Sequence, residues 1–221
     1  MSIRPSPGCF FLQQSVRIFT LIRIISERCR KTGKEKAMDN GASSYRRFLQ
    51  GDDSAFAEII KEYRDGLILY LSSLVSGITD AEDLAEDTFV KLVTKRPRYN
   101  GKASFKTWLY TIGGNIARDY LRKAARRGTL PIENCEATPD ELELEALVIK
   151  NEQKIALHRS MAKLRSEYRQ ILWLIYFEGM SMKEAAAVTG KKIHAAENLA
   201  YKARQALKTQ LEKDGFEYEN L

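Results

Sequence analysis

The sequence predicts an all-α chain built as two small helical domains joined by an acidic linker. Apolar residues recur at three- and four-residue spacing along most of its length, as the buried stripes of helices do. Only 5 prolines and 13 glycines interrupt 221 residues rich in good helix formers. No alternating strand pattern appears. Hydrophobic content of 44% with 29% charged residues fits a folded globular chain and excludes wholesale disorder.

Residues 1–37 form a basic extension with eight Lys or Arg and two acids. Its apolar run, Phe10 to Ile25, is broken by Arg17 and Arg23, whereas a spanning helix needs about 20 largely uncharged residues. The same two arginines and the lack of a small-residue cleavage site make it a poor match to a signal peptide. Lys34-Glu35 is encodable as AAGGAG, a bacterial ribosome-binding sequence, so translation is expected to begin at Met38.

The first domain is expected over 38–127. Phe48, Phe56, Ile59, Ile60, Tyr63, Leu67, Tyr70, Leu71 and Leu74 read as one buried stripe. Asp80 opens a second helix whose acidic first turn suits the helix dipole, with Leu84, Phe89, Leu92 and Val93 as its apolar positions. Pro97 stops it, and Asn100-Gly101 marks a turn. Ser104 caps a third helix carrying Phe105, Trp108, Leu109, Ile112, Ile116 and Tyr120. Within it, Gly113-Gly114 costs about 1 kcal/mol per glycine against alanine, which implies either a close backbone approach or a locally soft helix. Gly128, Pro131 and Pro139 place a linker at 128–150. Four helices follow from roughly Leu142 to Lys213, giving a second domain over 151–213 and a tail at 214–221.

Charge is arranged in blocks. The extension holds a net +6, so the remaining residues carry only +1 of the total +7. From Asp52 to Val90 ten acids face two bases; from Lys91 to Arg127 eleven bases face one acid; from Glu133 to Glu152 seven acids face one base. Such blocks suit a surface for an anionic polymer beside an acidic surface for a different partner, although charge runs are also ordinary solvated faces. The acidic linker is a candidate to hold the domains apart or to cover basic surfaces.

Three cysteines, Cys9, Cys29 and Cys135, form no CxxC pair, and His158 and His194 stand apart from them. That argues against a disulfide framework or a zinc site and fits a reducing cytoplasm. No glycine-rich phosphate loop or nucleophile-and-base arrangement appears, so neither an enzyme nor a cofactor is expected.

In the second domain, Ser181-Met182-Lys183-Glu184 has capping-box spacing and starts a short helix that Gly190 ends. A longer helix follows from about Lys192, with Ile193, Ala196, Ala200, Ala203 and Leu207 at helical spacing. Two helices joined at a glycine turn form a helix-turn-helix, the unit that lays its second helix in the major groove. His194, Ala195, Glu197, Asn198, Tyr201 and Lys202 face outward. Asn198 suits an adenine edge, Glu197 a cytosine amine, and Lys192 and Lys202 phosphates. A capping box with a glycine turn also occurs in ordinary helical hairpins.

Three stretches add a specific pattern: Asp80-Ala81-Glu82-Asp83-Leu84-Ala85-Glu86-Asp87-Thr88-Phe89; Ala103-Ser104-Phe105-Lys106-Thr107-Trp108-Leu109-Tyr110-Thr111-Ile112 with Asn115; and Asp119-Tyr120-Leu121-Arg122. In this order the chain resembles bacterial RNA polymerase sigma factors of the extracytoplasmic-function group, over about Phe56 to Lys123 (region 2) and Ile155 to Leu211 (region 4). The resemblance implies a non-enzymatic factor that binds core RNA polymerase and directs promoter-specific initiation in the cytoplasm. It places Asp80, Glu82, Asp83, Glu86, Asp87 and Phe89 at a coiled coil of the polymerase. It assigns the helix from Ser104 to the minus-ten element and its melting. Cations there hold phosphates, and aromatic faces receive unstacked bases, each stack contributing about 1–3 kcal/mol.

Arg98, Lys102, Lys106, Arg118, Arg122 and Lys123 supply the charge; Tyr99, Phe105 and Tyr110 are the candidate base contacts and Asn115 a polar one. Trp108 suits either core packing or base stacking. The helix from Lys192, with His194, Glu197, Asn198 and Lys202, is assigned to the minus-thirty-five element, and the first helices of region 4 to the polymerase flap. An anti-sigma factor joins polymerase and promoter DNA among the implied partners. Two positions depart from the family: Leu164-Arg165 stands where Leu-Pro is usual, and Glu197 stands in a recognition helix that usually turns basic. The competing reading is a helix-turn-helix regulator that does not load polymerase, which needs neither the acidic nor the melting helix.

Overall fold

A computed structural model describes residues 40–75, 77–127 and 152–216. Among them the fold is wholly helical: α1 (Asn40–Leu49), α2 (Asp53–Ser72), α3 (Ile78–Lys95), α4 (Phe105–Arg127), α5 (Glu152–Ala162), α6 (Ser166–Leu172) with a π-helical turn Trp173–Phe177, α7 (Met182–Thr189) and α8 (Ile193–Lys213). The extension 1–37 and the linker 128–150 lie outside the described residues.

The stripe from Phe48 to Leu74 belongs to two helices, not one. Gly51 at φ +103° turns the chain, and Asp52 caps α2 by accepting from the Ala55 amide. Apolar spacing carried across the turn because α1 and α2 pack against each other and share one core. Helix α3 starts two residues before Asp80, at Ile78, with Gly77 as its N-cap. It ends on Arg96, whose left-handed φ of 43° redirects the chain before Pro97. Ser104 caps α4 as its spacing predicts, accepting from the Thr107 amide at 3.2 Å.

Helix α2 runs through the first four-helix group, packed on α1, α3 and α4. The aromatic rings of Tyr45, Tyr63, Tyr99, Phe105 and Trp108 cluster around the start of α4, with centroids 5.2–5.6 Å apart. The Gly113-Gly114 pair answers to close approach. A Cβ on Gly113 would lie 3.0 Å from Leu67 Cδ1, and one on Gly114 would lie 2.7 Å from the Tyr70 hydroxyl.

In the second group α8 packs on α5, α6 and α7, burying Ala196, Ala200, Ala203, Leu207 and Leu211. Both signals read for the helix-turn-helix are present: the capping box of Ser181 and Glu184, and Gly190 in the left-handed region at φ +69°. Asp214, at the head of the sequence-predicted tail, is tied back by Ser160 (2.6 Å), Lys163 (2.7 Å) and Gln210 (3.0 Å).

The two groups touch. α7 lies along α4, the buried Arg169 donates through Nε to the Ser73 carbonyl at 3.1 Å, and Gln170 donates to the Tyr70 hydroxyl at 2.7 Å. No local pattern in either helix announces this contact.

Candidate protein-docking and nucleic-acid interfaces

Helix α3 has two faces. Ala81, Leu84, Ala85, Thr88, Phe89 and Leu92 are buried in the core. Glu82, Asp83, Glu86 and Asp87 are exposed, as expected of a docking face. Two expectations change. Phe89 is 7% exposed and packs edge-on against Phe56, so it supports the helix from beneath and cannot meet a partner. Asp80 is half-buried and accepts from the Tyr120 hydroxyl at 2.9 Å, fastening α3 to α4.

The same face carries two residues that the sequence reading missed or misplaced. Val90 is 55% exposed, and Val93, expected in the core, is 39% exposed. They continue the row of Asp83, Glu86 and Asp87 at helical spacing, opposite Leu84, Thr88 and Leu92. Val90 was detectable by that register. Exposed valines beside carboxylates form the kind of mixed surface that buries against another protein.

The basic face is built on α4 and the loop before it. Arg98, Lys102, Asn115, Arg122 and Lys123 are exposed, and Lys106 and Arg118 are half-buried. Asn115 accepts from Arg118 at 2.6 Å, and Arg122 pairs with Asp119.

The aromatic expectations fare differently. Phe105 has 0% exposure at the centre of the ring cluster and is unavailable to a base. It opens the apolar stripe of α4 and α1 folds over it, so the stripe and not the base-contact role describes its place. Tyr110 is 1% exposed, its hydroxyl donating to Glu178 at 3.0 Å, so in this conformation it too is covered. Burial, and then the Glu178 carboxylate, push the Tyr110 phenol well above its usual range, which keeps it a hydrogen-bond donor. Tyr99 is half-buried, donating to the Ala103 carbonyl at 2.6 Å. Trp108 is half-buried against Tyr45 and Tyr99, in the packing role.

On α8, Lys192, His194, Ala195, Glu197, Asn198, Tyr201 and Lys202 are all exposed. His194 Nδ1 lies 3.1 Å from a Glu197 carboxylate oxygen. Ile193, 42% exposed, and Tyr201, 59% exposed, add apolar surface to the same helix, suited to contact with a thymine methyl or a sugar.

No helix among the described residues is long and apolar enough to cross a membrane. Nor, among them, do three or more His, Cys, Asp or Glu residues group to hold a metal.

Comparison with known proteins places these surfaces in context. Residues 59–127 match the family described as Sigma-70 region 2, and residues 154–207 match Sigma-70, region 4. The ECF RNA polymerase sigma factor SigW of Bacillus subtilis (strain 168) is 25% identical over 171 residues, covering 73% of this chain and 91% of its own. The RNA polymerase sigma-H factor of Pseudomonas aeruginosa is 26% identical, covering 73% of this chain and 88% of its own. Among solved structures, CnrH in complex with the cytosolic domain of CnrY is similar at a TM-score of 0.55. It is 26% identical and covers 79% of this chain and 96% of that one. The sigma factor RpoE of Bartonella quintana, in complex with the anti-sigma factor NepR, has a TM-score of 0.53. It is 25% identical, covering 71% of this chain and 96% of its own.

Proposed function

Since the chain belongs to the sigma-70 family, in its extracytoplasmic-function group, with regions 2 and 4 in order, we propose that it binds core RNA polymerase and directs promoter-specific transcription initiation. The observation that carries this is the succession on one chain of an acidic helix with exposed valines, a basic helix beside it, and a helix-turn-helix. A regulator that never loads polymerase has no use for the first two.

In this reading residues 38–127 serve as region 2, 128–150 as the linker and 151–213 as region 4. Glu82, Asp83, Glu86, Asp87, Val90 and Val93 meet the polymerase, where burying the valines drives association and the carboxylates set register and partner choice. Arg98, Lys102, Lys106, Arg118, Arg122 and Lys123 hold the phosphates of the minus-ten element, and Asn115 meets a base edge. Opening a duplex is unfavourable because stacking is lost. A surface of fixed cations with a tyrosine donor lowers that cost only once the strand is apart, so it favours the opened state. Tyr110 takes this role when uncovered.

On α8, Lys192 and Lys202 contact phosphates, while His194, Glu197 and Asn198 face base edges of the minus-thirty-five element. Glu197 is favourable there only against a donor such as the cytosine amine, since it repels phosphate. The protein is a non-catalytic initiation factor acting where polymerase acts, in the bacterial cytoplasm. An anti-sigma factor is its expected protein partner, in line with the similar RpoE, which is seen in complex with the anti-sigma factor NepR.

The test is transcription in vitro with purified core polymerase and a library of promoter fragments. The wild-type chain is expected to yield promoter-specific transcripts. Asp83→Arg is expected to lose polymerase binding, whereas Arg122→Glu keeps it and loses strand opening, read by permanganate reactivity of unpaired thymines. A chain that neither co-purifies with core polymerase nor changes its transcripts overturns the function.

A further inference from the structure

Helix α1 carries none of the residues assigned to polymerase or DNA, yet it grips the loop that presents two of them. Loop 96–103 joins α3 to α4. Pro97 and Tyr99 are half-buried in it, while Arg98, Asn100 and Lys102 are exposed. Tyr45 of α1, 1% exposed, donates its hydroxyl to the Pro97 carbonyl at 2.8 Å, across 52 residues of chain. Burial pushes the Tyr45 phenol up to about 12, so it stays protonated and remains a donor. Its ring lies 5.6 Å from Phe105 and 5.2 Å from Trp108. Tyr99 of the loop packs on the same two rings, again at 5.6 and 5.2 Å.

A second grip acts where the loop begins. Arg96 sits in the left-handed region at φ 43° and ψ 53°. Residues other than glycine rarely adopt it, and the residue before a proline ordinarily stays extended. Such a conformation persists only where its surroundings over-determine it. Here the Arg96 amide donates to the Leu92 carbonyl at 3.2 Å, and the guanidinium carbon lies 5.3 Å from the centroid of Phe48, a buried ring of α1. Further on, the Asn100 side chain accepts from the Lys102 amide at 3.1 Å, and Gly101 at φ +70° closes the turn. Filling the core needs the Tyr45 ring but not its hydroxyl, since phenylalanine would pack equally well. The hydroxyl therefore bears on where the loop goes, and Arg98 is the next residue along.

We propose that Tyr45, together with Arg96 braced on Phe48, is a positioning residue for the minus-ten element: it holds loop 96–103 so that Arg98 and Lys102 stand in place for the phosphates of the opened strand. The inference rests on the assignment of those two cations to that strand. A mobile loop would lose its freedom when DNA binds, and that ordering would offset part of each ionic contact. A loop already fixed by α1 keeps the contacts at full strength. Fixed cations also favour one path of the phosphate backbone over others, so α1 shapes strand capture without touching DNA.

The test uses the full chain bound to core polymerase. Its probe is a fluorescent promoter fragment recovered from the transcription library and made with the minus-ten segment unpaired. Tyr45→Phe removes the hydroxyl and keeps the ring; it is expected to weaken fragment binding about fivefold, with affinity for core polymerase unchanged. Arg96→Gly relieves the strained backbone and removes the ring contact. It is expected to weaken fragment binding while leaving the unfolding midpoint no lower, a combination that a merely structural role would not produce. Arg98→Ala/Lys102→Ala removes the cations themselves and is expected to cost tenfold or more. Added to that double variant, Tyr45→Phe or Arg96→Gly is expected to cause no further loss, because residues that act through the same contacts are not additive.

Losses that multiply in the combined variants overturn the positioning role, because Tyr45 and Arg96 then act by another route. Tyr45→Phe binding the fragment as the wild type does also overturns it. So does a parallel loss of polymerase affinity, which marks a general disturbance of the first helix group. Alanine at 98 and 102 without effect removes the loop from the strand, and the proposal falls while the sigma-factor function stands. Failure of the wild-type chain to support transcription with core polymerase overturns that function instead, and is read in a separate assay.

Discussion

Gly41 shows what a single residue does in this fold. It is buried in the first turn of α1 against the Tyr63 and Phe105 rings. An added Cβ would lie 2.6 Å from the Tyr63 hydroxyl and closer still to Phe105. Both rings are locked in the aromatic cluster, so Gly41→Ala is expected to destabilise the chain by about 2 kcal/mol in urea titration, in the upper range for overpacking a core. Asp214 makes a second residue-scale expectation, through pH. Burial alone would raise its pKa, but hydrogen bonds from Lys163, Ser160 and Gln210 outweigh it and leave the carboxyl below its ordinary value. A depressed folded-state pKa contributes stability that is complete above the unfolded carboxylate value, about 4, and is lost as pH falls through the folded one. The unfolding midpoint of the wild type is therefore expected to drop more steeply than that of Asp214→Asn between about pH 5 and pH 2.5. Parallel profiles would leave Asp214 without this role.

Single residues become surfaces on the helices. α3 was legible as amphipathic, and its acidic residues were read as exposed. Val93 shows where that legibility ends: hydropathy assigns it to the core, and the packing of α3 on α2 and α4 turns it outward, whereas the register of the acidic row already points Val90 to solvent. With Val90 on the free face, Val90→Asp is expected to weaken core polymerase binding by tenfold or more, about 1.4 kcal/mol. The unfolding midpoint should stay unchanged, because an exposed substitution disturbs no packing. A fall in both together would return Val90 to the core. α4 gives the opposite lesson. Its basic residues were legible as a block, but Phe105 and Tyr110 were not legible as covered. The elements that hide them, α1 and the turn bearing Glu178, come from 64 residues before the one and 68 after the other, and no local window contains them.

At the scale of the molecule, the two four-helix groups meet through buried polar contacts. The Arg169 guanidinium, 5% exposed, donates to the Ser73 carbonyl of the first group and to the Ala162 and Leu164 carbonyls of its own, at 3.1, 2.7 and 3.1 Å. Hydrogen bonds from a charged group contribute about 1.5–3 kcal/mol each, and the carbonyls stay buried if the donor is removed. Arg169→Met is expected to lower stability by about 3 kcal/mol or more. It is also expected to split a single calorimetric unfolding transition into two, because it removes one tie between the groups. A single transition of unchanged midpoint would show that the contact is not stabilising.

The sequence by itself determined the elements and their amphipathic faces: the helix-turn-helix with its capping box and glycine turn, the Ser104 cap, the charge blocks and the family pattern they spell. These are local properties, fixed by three- and four-residue periodicity and by short-range hydrogen bonds. Only the tertiary structure decided that α1 buries Phe105, that the two glycines of α4 admit Leu67 and Tyr70, and that Glu178 and Glu184 of the second group close on the first. Those outcomes depend on contacts between residues far apart in the chain. Such contacts are set by which faces fit together once the helices exist, and no periodicity within either helix encodes its partner.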